Sequence, residues 1–283
     1  MTNEESWVLA YVCDRSGGTR HAILIDPADQ SAEVAAKRCV AAVSAGSRMI
    51  LVGGSSGTDT DNVHDTITAI REALELITWA SSQDSSLDEG EWQVPIVLFP
   101  QGAAALSPAA DGITFMMLMN STSPRFLIEE QTAGAPFIRE AGIETLPMGY
   151  VICAPGGRAG QVGQASLIEA EDDERVKAYA MAAESYGFRI FYLEAGSGAS
   201  HPVAQNLIRS AKEACEEISA VLDAFLPGRL VLIKHRVFSC GLVCKGHSEL
   251  DGFLMRRIKT DLKLLRVRTL GPPESEPCAR RGS

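Results

Sequence analysis

Short, continuously apolar runs alternate with longer stretches of helical period along most of this chain. Residues 21–26 (HAILID) read as a buried strand that stops at Asp26-Pro27, and residues 31–45 as an Ala/Val-rich helix with Ser31 as N-cap and Gly46 just past its end. Residues 48–52 are the next strand, residues 53–57 (GGSSG) a loop, and residues 61–77 a helix with apolar positions at Val63, Ile67, Ile70, Leu74 and Ile77. Residues 80–91 are rich in Ser, Asp and Glu without an apolar period, which predicts a solvent-exposed insertion. The strand runs resume at 95–99, 112–119 and 148–153, with helical material around 125–132 and a glycine-rich excursion at 156–163. Residues 172–186 predict a helix, the first half of 188–200 a strand, and residues 202–222 another helix. Strand followed by helix, repeated in this way, predicts a parallel sheet covered by helices.

Six strands are reached by this point, and residues 229–233 (RLVLI) serve as a seventh. A closed eight-stranded barrel needs two further units, each with its helix. Beyond residue 233 the rhythm degrades: 237–243 is short and interrupted, 254–265 is basic and weakly amphipathic, and 271–283 is a Pro/Glu/Arg-rich tail that predicts disorder. The organisation expected is a leader over 1–20, an α/β, TIM-barrel-like domain over 21–233 whose last one or two βα units are divergent or incomplete, and a divergent basic segment over 234–283.

Composition narrows the function classes. A chain of 283 residues with 46% hydrophobic content is long enough for one large α/β domain. A formal net charge of −10 argues against a nucleic-acid binder. The charge is uneven: residues 224–283 hold 12 Lys+Arg against 5 Asp+Glu, so that segment carries +7 and the remainder −17. The longest apolar run falls short of a membrane span, and the polar, acidic start is unlike a secretion signal, so a cytoplasmic location is expected. Seven scattered cysteines fit reduced thiols better than a disulfide framework.

The stretch 188–200 (FRIFYLEAGSGAS) carries the clearest chemistry. Side chains at the carboxyl end of a strand in a barrel or open α/β sheet face the ligand crevice, which directs Tyr192 and Glu194 there. Gly196, Ser197 and Gly198 offer unobstructed backbone N–H groups suited to a phosphate. A strand-to-helix turn that needs glycine only for its dihedrals is the plainer alternative. Asp26 and the 53–57 loop likewise stand at strand ends, where a cap and a tight turn would also explain them.

Several blocks in order then resemble the geranylgeranylglyceryl phosphate synthase family: LIDP at 24–27, ILVGGSSG at 50–57, PIVLFP at 95–100, FMMLMNSTSP at 115–124, GAPFIREAGIETLPMGYVICAPGG at 134–157, AGQVG at 159–163 and YLEAGSGA at 192–199. The resemblance covers roughly residues 21–210 and implies a modified TIM barrel. It also implies a Mg²⁺-dependent prenyltransferase that joins a prenyl diphosphate, geranylgeranyl or similar, to the C3 hydroxyl of sn-glycerol 1-phosphate. Diphosphate is released, as a step of ether-lipid biosynthesis. It assigns Mg²⁺ to Asp26 and Ser55, general-base or orienting duty to Glu194, and a phosphate or hydroxyl contact to Tyr192. The acceptor site would be the run Tyr192, Leu193, Glu194, Ala195, Gly196, Ser197 and Gly198. It further implies a homo-oligomer and transient contact with a membrane surface without an anchor. The apolar run 115–119 reads as plain barrel core.

Two departures from the family pattern stand out. Asp26-Pro27 is followed by Ala28-Asp29-Gln30, without the family's lysine. After 229–233 come Lys234-His235-Arg236, with no glycine cluster to grip the acceptor phosphate. A charge-based grip by these three residues is one alternative. Another is a barrel derivative that has lost the acceptor loops and is inactive or binds a partner. A third is a different phosphate-binding barrel enzyme that shares only the architecture.

Overall fold

The computed structural model describes residues 7–14, 20–82, 92–215, 218, 220–225 and 230–234. The chain divides into two units, Met1–Ser239 and Cys240–Ser283, and the second lies wholly outside the described residues, as do the expected insertion beyond Ser82 and the Pro/Glu/Arg-rich tail.

Strands β1 (Arg20–Ile25), β2 (Met49–Val52), β3 (Ile96–Leu98), β4 (Gly112–Leu118), β5 (Glu144–Ile152), β6 (Ile190–Glu194), β7 (Ala220–Phe225) and β8 (Leu230–Lys234) close a barrel in chain order. The first seven run parallel, and β8 is antiparallel to both its neighbours, β7 and β1. Around them lie α2 (Ala32–Ser44), α3 (Thr60–Ser82), α4 (Glu130–Ala141), α5 (Gly157–Val162), α6 (Asp173–Ser185) and α7 (Gln205–Glu213). The Ser31 hydroxyl caps α2 by accepting from the Val34 N–H, as the sequence predicts. No helix connects β3 to β4, and α4 is entered through a π-helical turn at Arg125–Glu129.

The carboxyl-terminal part departs from the sequence expectation. The helix expected over 202–222 ends at Glu213, and its last residues belong to strand β7, which pairs with β6 from Ile190↔Ala220 to Glu194↔Ala224. A short apolar run fits either element by period alone, and only the vacant edge of β6 decides it. The run expected as the seventh strand is therefore the eighth. Four residues separate Phe225 from Leu230, too few for a parallel crossover, so β8 folds back antiparallel. Because Ile233 pairs with Arg20, Lys234 lies at the amino-terminal end of the barrel, opposite Asp26 and Glu194. The phosphate grip weighed for Lys234 is placed at the wrong end, and His235 and Arg236 lie outside the described residues.

The leader also differs: residues Trp7–Cys13 form helix α1. Val8 and Val12, one turn apart, bury themselves against Ala22, Met49, Leu146 and Met148 in the barrel interior. The Glu144 carboxylate accepts from the N–H groups of Val8 (2.9 Å) and Leu9 (2.6 Å), satisfying donors that a helix start leaves open.

Strand parity sets the layers. Ala22, Tyr150, Ile190 and Tyr192 pack inside the barrel, whereas Ile23 and Ile25 on β1 and Phe191 and Leu193 on β6 pack outward under the helices. The same parity carries Asp26 and Glu194 to the inner rim at the carboxyl ends of their strands.

Candidate active site

A cavity of about 190 Å³ opens at the carboxyl-terminal mouth of the barrel. Asp26 sits where β1 stops: it caps the 3-10 turn Pro27–Asp29, its Oδ1 accepting from the Ala28 N–H at 3.0 Å. Beside it, the end of β2 supplies Gly53, Gly54 and Ser55. A Cβ at residue 54 would lie 2.3 Å from Asp26 Oδ2, so the carboxylate occupies the space that glycine leaves. Asp26, Ser55, Tyr192, Glu194, Ala195, Gly196 and Ser197 all line this one cavity.

Leu193 and Gly198 do not line it. Leu193 is fully buried on the outer face of β6 among Val176, Ala180 and Leu207, because adjacent strand residues point to opposite faces. Its side chain is core beneath α6 and α7, so within the expected acceptor run Leu193 presents no side chain to the cavity.

Glu194 is the buried charge of the site, only 8% exposed. Tyr192, two residues earlier and on the same face, donates its hydroxyl to Glu194 Oε2 at 2.8 Å. Tyr150, the register partner of Tyr192 on β5, lines the same cavity, and the two rings lie 5.1 Å apart. Phe99 meets Tyr192 edge-on, with ring centroids 5.5 Å apart. Burial raises the Glu194 carboxyl above the ordinary value, and the neighbouring Tyr192 and Tyr150 hydroxyls pull it partly back. Burial, and then the neighbouring carboxylate, push the Tyr150 phenol well above its usual range, so it remains a donor.

The loop after β6 is pinned to the loop after β5. Ser197 O accepts from the Arg158 N–H at 3.0 Å, and a Cβ at residue 196 would lie 1.8 Å from Gly156 O. Glycine at 196, with φ of 95°, is required there by both conformation and space.

From the mouth the cavity continues between β3 and β4. These strands pair only at Val97↔Gly112 and Leu98↔Ile113, and beyond that the rest of β4 stands apart. The arm that leaves through this seam is lined by Leu106, Ile113, Phe115, Phe126 and Ile138. Phe115, Met116 and Leu118 thus face the cavity rather than forming plain core. The loop that replaces a helix between β3 and β4 is fastened to α3 and α4, through Thr60 to Ala104 O (3.2 Å) and through the Ala103 N–H to Glu130 Oε2 (2.7 Å).

Tyr150, Phe99 and Gln131, which line the cavity, are not flagged by sequence reasoning. For Tyr150 a signal exists, its parity with Met148 and Ile152 on one strand. For Gln131 there is none short of the fold.

Among the described residues no three His, Cys, Asp or Glu side chains cluster as a metal site. Asp26 with the Ser55 hydroxyl nevertheless suits a hard cation that takes most of its oxygens from water and substrate phosphate, the usual habit of Mg²⁺. No helix among the described residues is long and apolar enough to cross a membrane.

Comparison with known proteins agrees with this geometry. Residues 15–222 match the PcrB family. The chain is 39% identical over 197 residues to geranylgeranylglyceryl phosphate synthase of Methanothrix thermoacetophila, covering 70% of each chain. It is 40% identical over 195 residues to the enzyme of the same name from Methanococcoides burtonii, covering 69% of this chain and 72% of the relative. Among solved structures it is similar to (S)-3-O-geranylgeranylglyceryl phosphate synthase from Thermoplasma acidophilum in complex with sn-glycerol-1-phosphate, with a TM-score of 0.66, 30% identity, and coverage of 79% and 81%. Wild-type GGGPS from Thermoplasma volcanium gives a TM-score of 0.64 at 33% identity, with coverage of 75% and 77%.

Proposed function

The chain belongs to the PcrB family, and we propose that it transfers a prenyl group from a prenyl diphosphate, geranylgeranyl or similar, to the C3 hydroxyl of sn-glycerol 1-phosphate, releasing diphosphate. The observation that carries this reading is the continuity of one cavity from Asp26 and Ser55, past the buried Glu194, into the apolar arm between β3 and β4. A charged head, a nucleophile and a long apolar tail are the three parts such a reaction must hold together.

The Glu194 carboxylate takes the proton of the attacking hydroxyl. Burial raises its proton affinity towards what a general base needs, and the bond from Tyr192 holds it in one orientation. Gly196 and Ser197 border the acceptor with backbone N–H groups. Mg²⁺ held by Asp26 and Ser55 would neutralise the charge that gathers on the diphosphate as it leaves. The arm excludes water from the allylic carbon and orients it.

β7 and β8 pair antiparallel with only four residues between them, so no βα unit supplies a phosphate-binding loop at that point. That observation favours a second reading, a barrel that keeps the prenyl diphosphate and has lost the acceptor. Purified protein with Mg²⁺, geranylgeranyl diphosphate and labelled sn-glycerol 1-phosphate, beside Asp26→Ala and Glu194→Ala, separates the two. Product that disappears in both variants supports the transferase. Diphosphate binding without product supports the second reading.

A further inference from the structure

Both substrates of the proposed reaction carry phosphate, yet the charged lining of the cavity is acidic. Asp26, Glu130 and Glu194 contribute carboxylates, and among the described residues that line the cavity there is no lysine or arginine. Arg125 ion-pairs with Glu130 and does not line the wall, and Lys234 stands at the opposite end of the barrel. The one lining side chain among the described residues that can carry positive charge is His201. It belongs to the loop between β6 and α7 that also presents Gly196, Ser197 and Ala199 to the cavity. That loop is held on both sides of the histidine. Before it, the Ala199 N–H donates to Gly196 O at 3.1 Å and Ser197 O accepts from the Arg158 N–H; after it, Val203 is buried in one cluster with Leu193 and Leu207. His201 itself is exposed to solvent. Its Nδ1 lies 3.3 Å from Pro202 O, and because a carbonyl only accepts, Nδ1 carries the proton and Nε2 is left to face a ligand.

We propose that His201 binds the phosphate of sn-glycerol 1-phosphate, as an imidazolium whose Nε2–H donates to a phosphate oxygen, in place of the loop that β7 does not supply. This rests on the prenyl-transfer reading given above. The acceptor carries its reacting hydroxyl on C3 and its phosphate on C1. With the hydroxyl at the buried Glu194, the phosphate lies towards the solvent side of the same loop, where His201 lines the wall. A phosphate opposite the ring favours its protonated form, and a charge-assisted hydrogen bond is about twice as strong as a neutral one. The diphosphate of the other substrate has a separate counter-charge, the Mg²⁺ assigned to Asp26 and Ser55 at the ends of β1 and β2. The imidazole therefore serves the acceptor, and its removal should leave the diphosphate untouched.

The test is a binding comparison that requires no turnover. sn-Glycerol 1-phosphate is titrated calorimetrically at pH 6, with Mg²⁺ and without a prenyl donor, into wild type, His201→Gln, His201→Arg and His201→Lys. Inorganic diphosphate with Mg²⁺ is titrated into the same four proteins. His201→Gln is expected to bind the acceptor about fivefold or more weakly than wild type, and at least one of the two permanently charged variants to restore that affinity. All four should bind diphosphate within about twofold of one another, and their thermal transitions should coincide because the side chain is exposed. Acceptor affinity unchanged in His201→Gln, or restored by neither Arg nor Lys, overturns the proposal. Equal weakening of acceptor and diphosphate in His201→Gln also overturns it, since the ring would then act on the mouth as a whole. Acceptor binding that follows the charge at residue 201 in a protein that forms no product would keep this assignment and overturn the transfer reading. Wild type that binds diphosphate but not sn-glycerol 1-phosphate would overturn both. Where transfer is measured, KM for the acceptor is expected to rise about fivefold or more in His201→Gln, with kcat and KM for the prenyl diphosphate little changed.

Discussion

Tyr192 donates to Glu194 from two residues earlier on the same strand, at 2.8 Å, inside a barrel wall where both are buried. A strand repeats its faces every second residue, so the pair is prearranged by the backbone, and the phenol opposes the rise in proton affinity that burial imposes on the carboxyl. Removing the donor should let the carboxyl rise further. In Tyr192→Phe the acid limb of kcat/KM for prenyl transfer is expected to move to higher pH, with a drop of about tenfold or more at the plateau. A limb that stays in place would show that Glu194 is not the base the profile reports.

The same burial predicts a conflict between stability and activity at Glu194. A carboxyl raised in the folded state favours folding below its unfolded value, and that contribution is lost as pH rises through the folded value. At neutral pH the wild type carries the penalty of a buried charge and Glu194→Gln does not. The variant is therefore expected to melt higher than wild type at pH 7, to lose that advantage below the ordinary carboxylate range, and to transfer about 10²-fold or more slowly. Thermal melts across pH check the first two points and the transfer assay the third.

Gly54 is predicted to act through Asp26. An alanine Cβ would stand 2.3 Å from Oδ2 and 2.4 Å from Oδ1 of the carboxylate, so Asp26 must move. Displacing a ligand's support typically lowers metal affinity or activity by about 10- to 100-fold. Gly54→Ala should raise the Mg²⁺ concentration needed for half-maximal transfer by that order and leave the unfolding transition close to wild type. An unchanged Mg²⁺ requirement would remove Asp26 from the cation site.

Strands β1 to β6 were legible in the sequence because a parallel strand buried on both faces is a continuous apolar run bounded by turns, and the place of Asp26, Ser55 and Glu194 at the cavity mouth was legible because such runs end there. Leu193 shows where that reasoning stops, since a neighbour in sequence faces away in a strand. Gln131 and Tyr150 reach the cavity through barrel closure and the opening between β3 and β4, relations that no local pattern encodes. β7 was hidden because 218–225 suits helix or strand equally, and β8 because its direction depends on a loop too short to cross over.

Glu144 ties the closing helix to the barrel. Its carboxylate accepts from the Val8 and Leu9 N–H groups, and α1 inserts Val8 and Val12 beneath the interior layer. Glu144→Ala leaves both donors unpaired at a helix start and should cost about 1–3 kcal/mol in unfolding free energy, read from denaturant melts. Because this end of the barrel is remote from Glu194, KM for either substrate should stay within about twofold.

His21 sets the acid limit of the fold. Its Nδ1 shares a 2.7 Å hydrogen bond with Ser47 Oγ, its buried Nε2 finds no partner among the described residues, and burial lowers its pKa from 6.5 to about 4. A histidine depressed in the folded state contributes stability that is complete above its unfolded value and is lost as pH falls from 6.5 towards 4. The shift corresponds to about 3 kcal/mol across that window. His21→Asn, which keeps a polar group near Ser47 and cannot be protonated in this range, should flatten the decline: the wild type should lose more unfolding free energy between pH 6.5 and 4 than the variant does. Parallel pH profiles of the two proteins would place the acid sensitivity elsewhere in the fold.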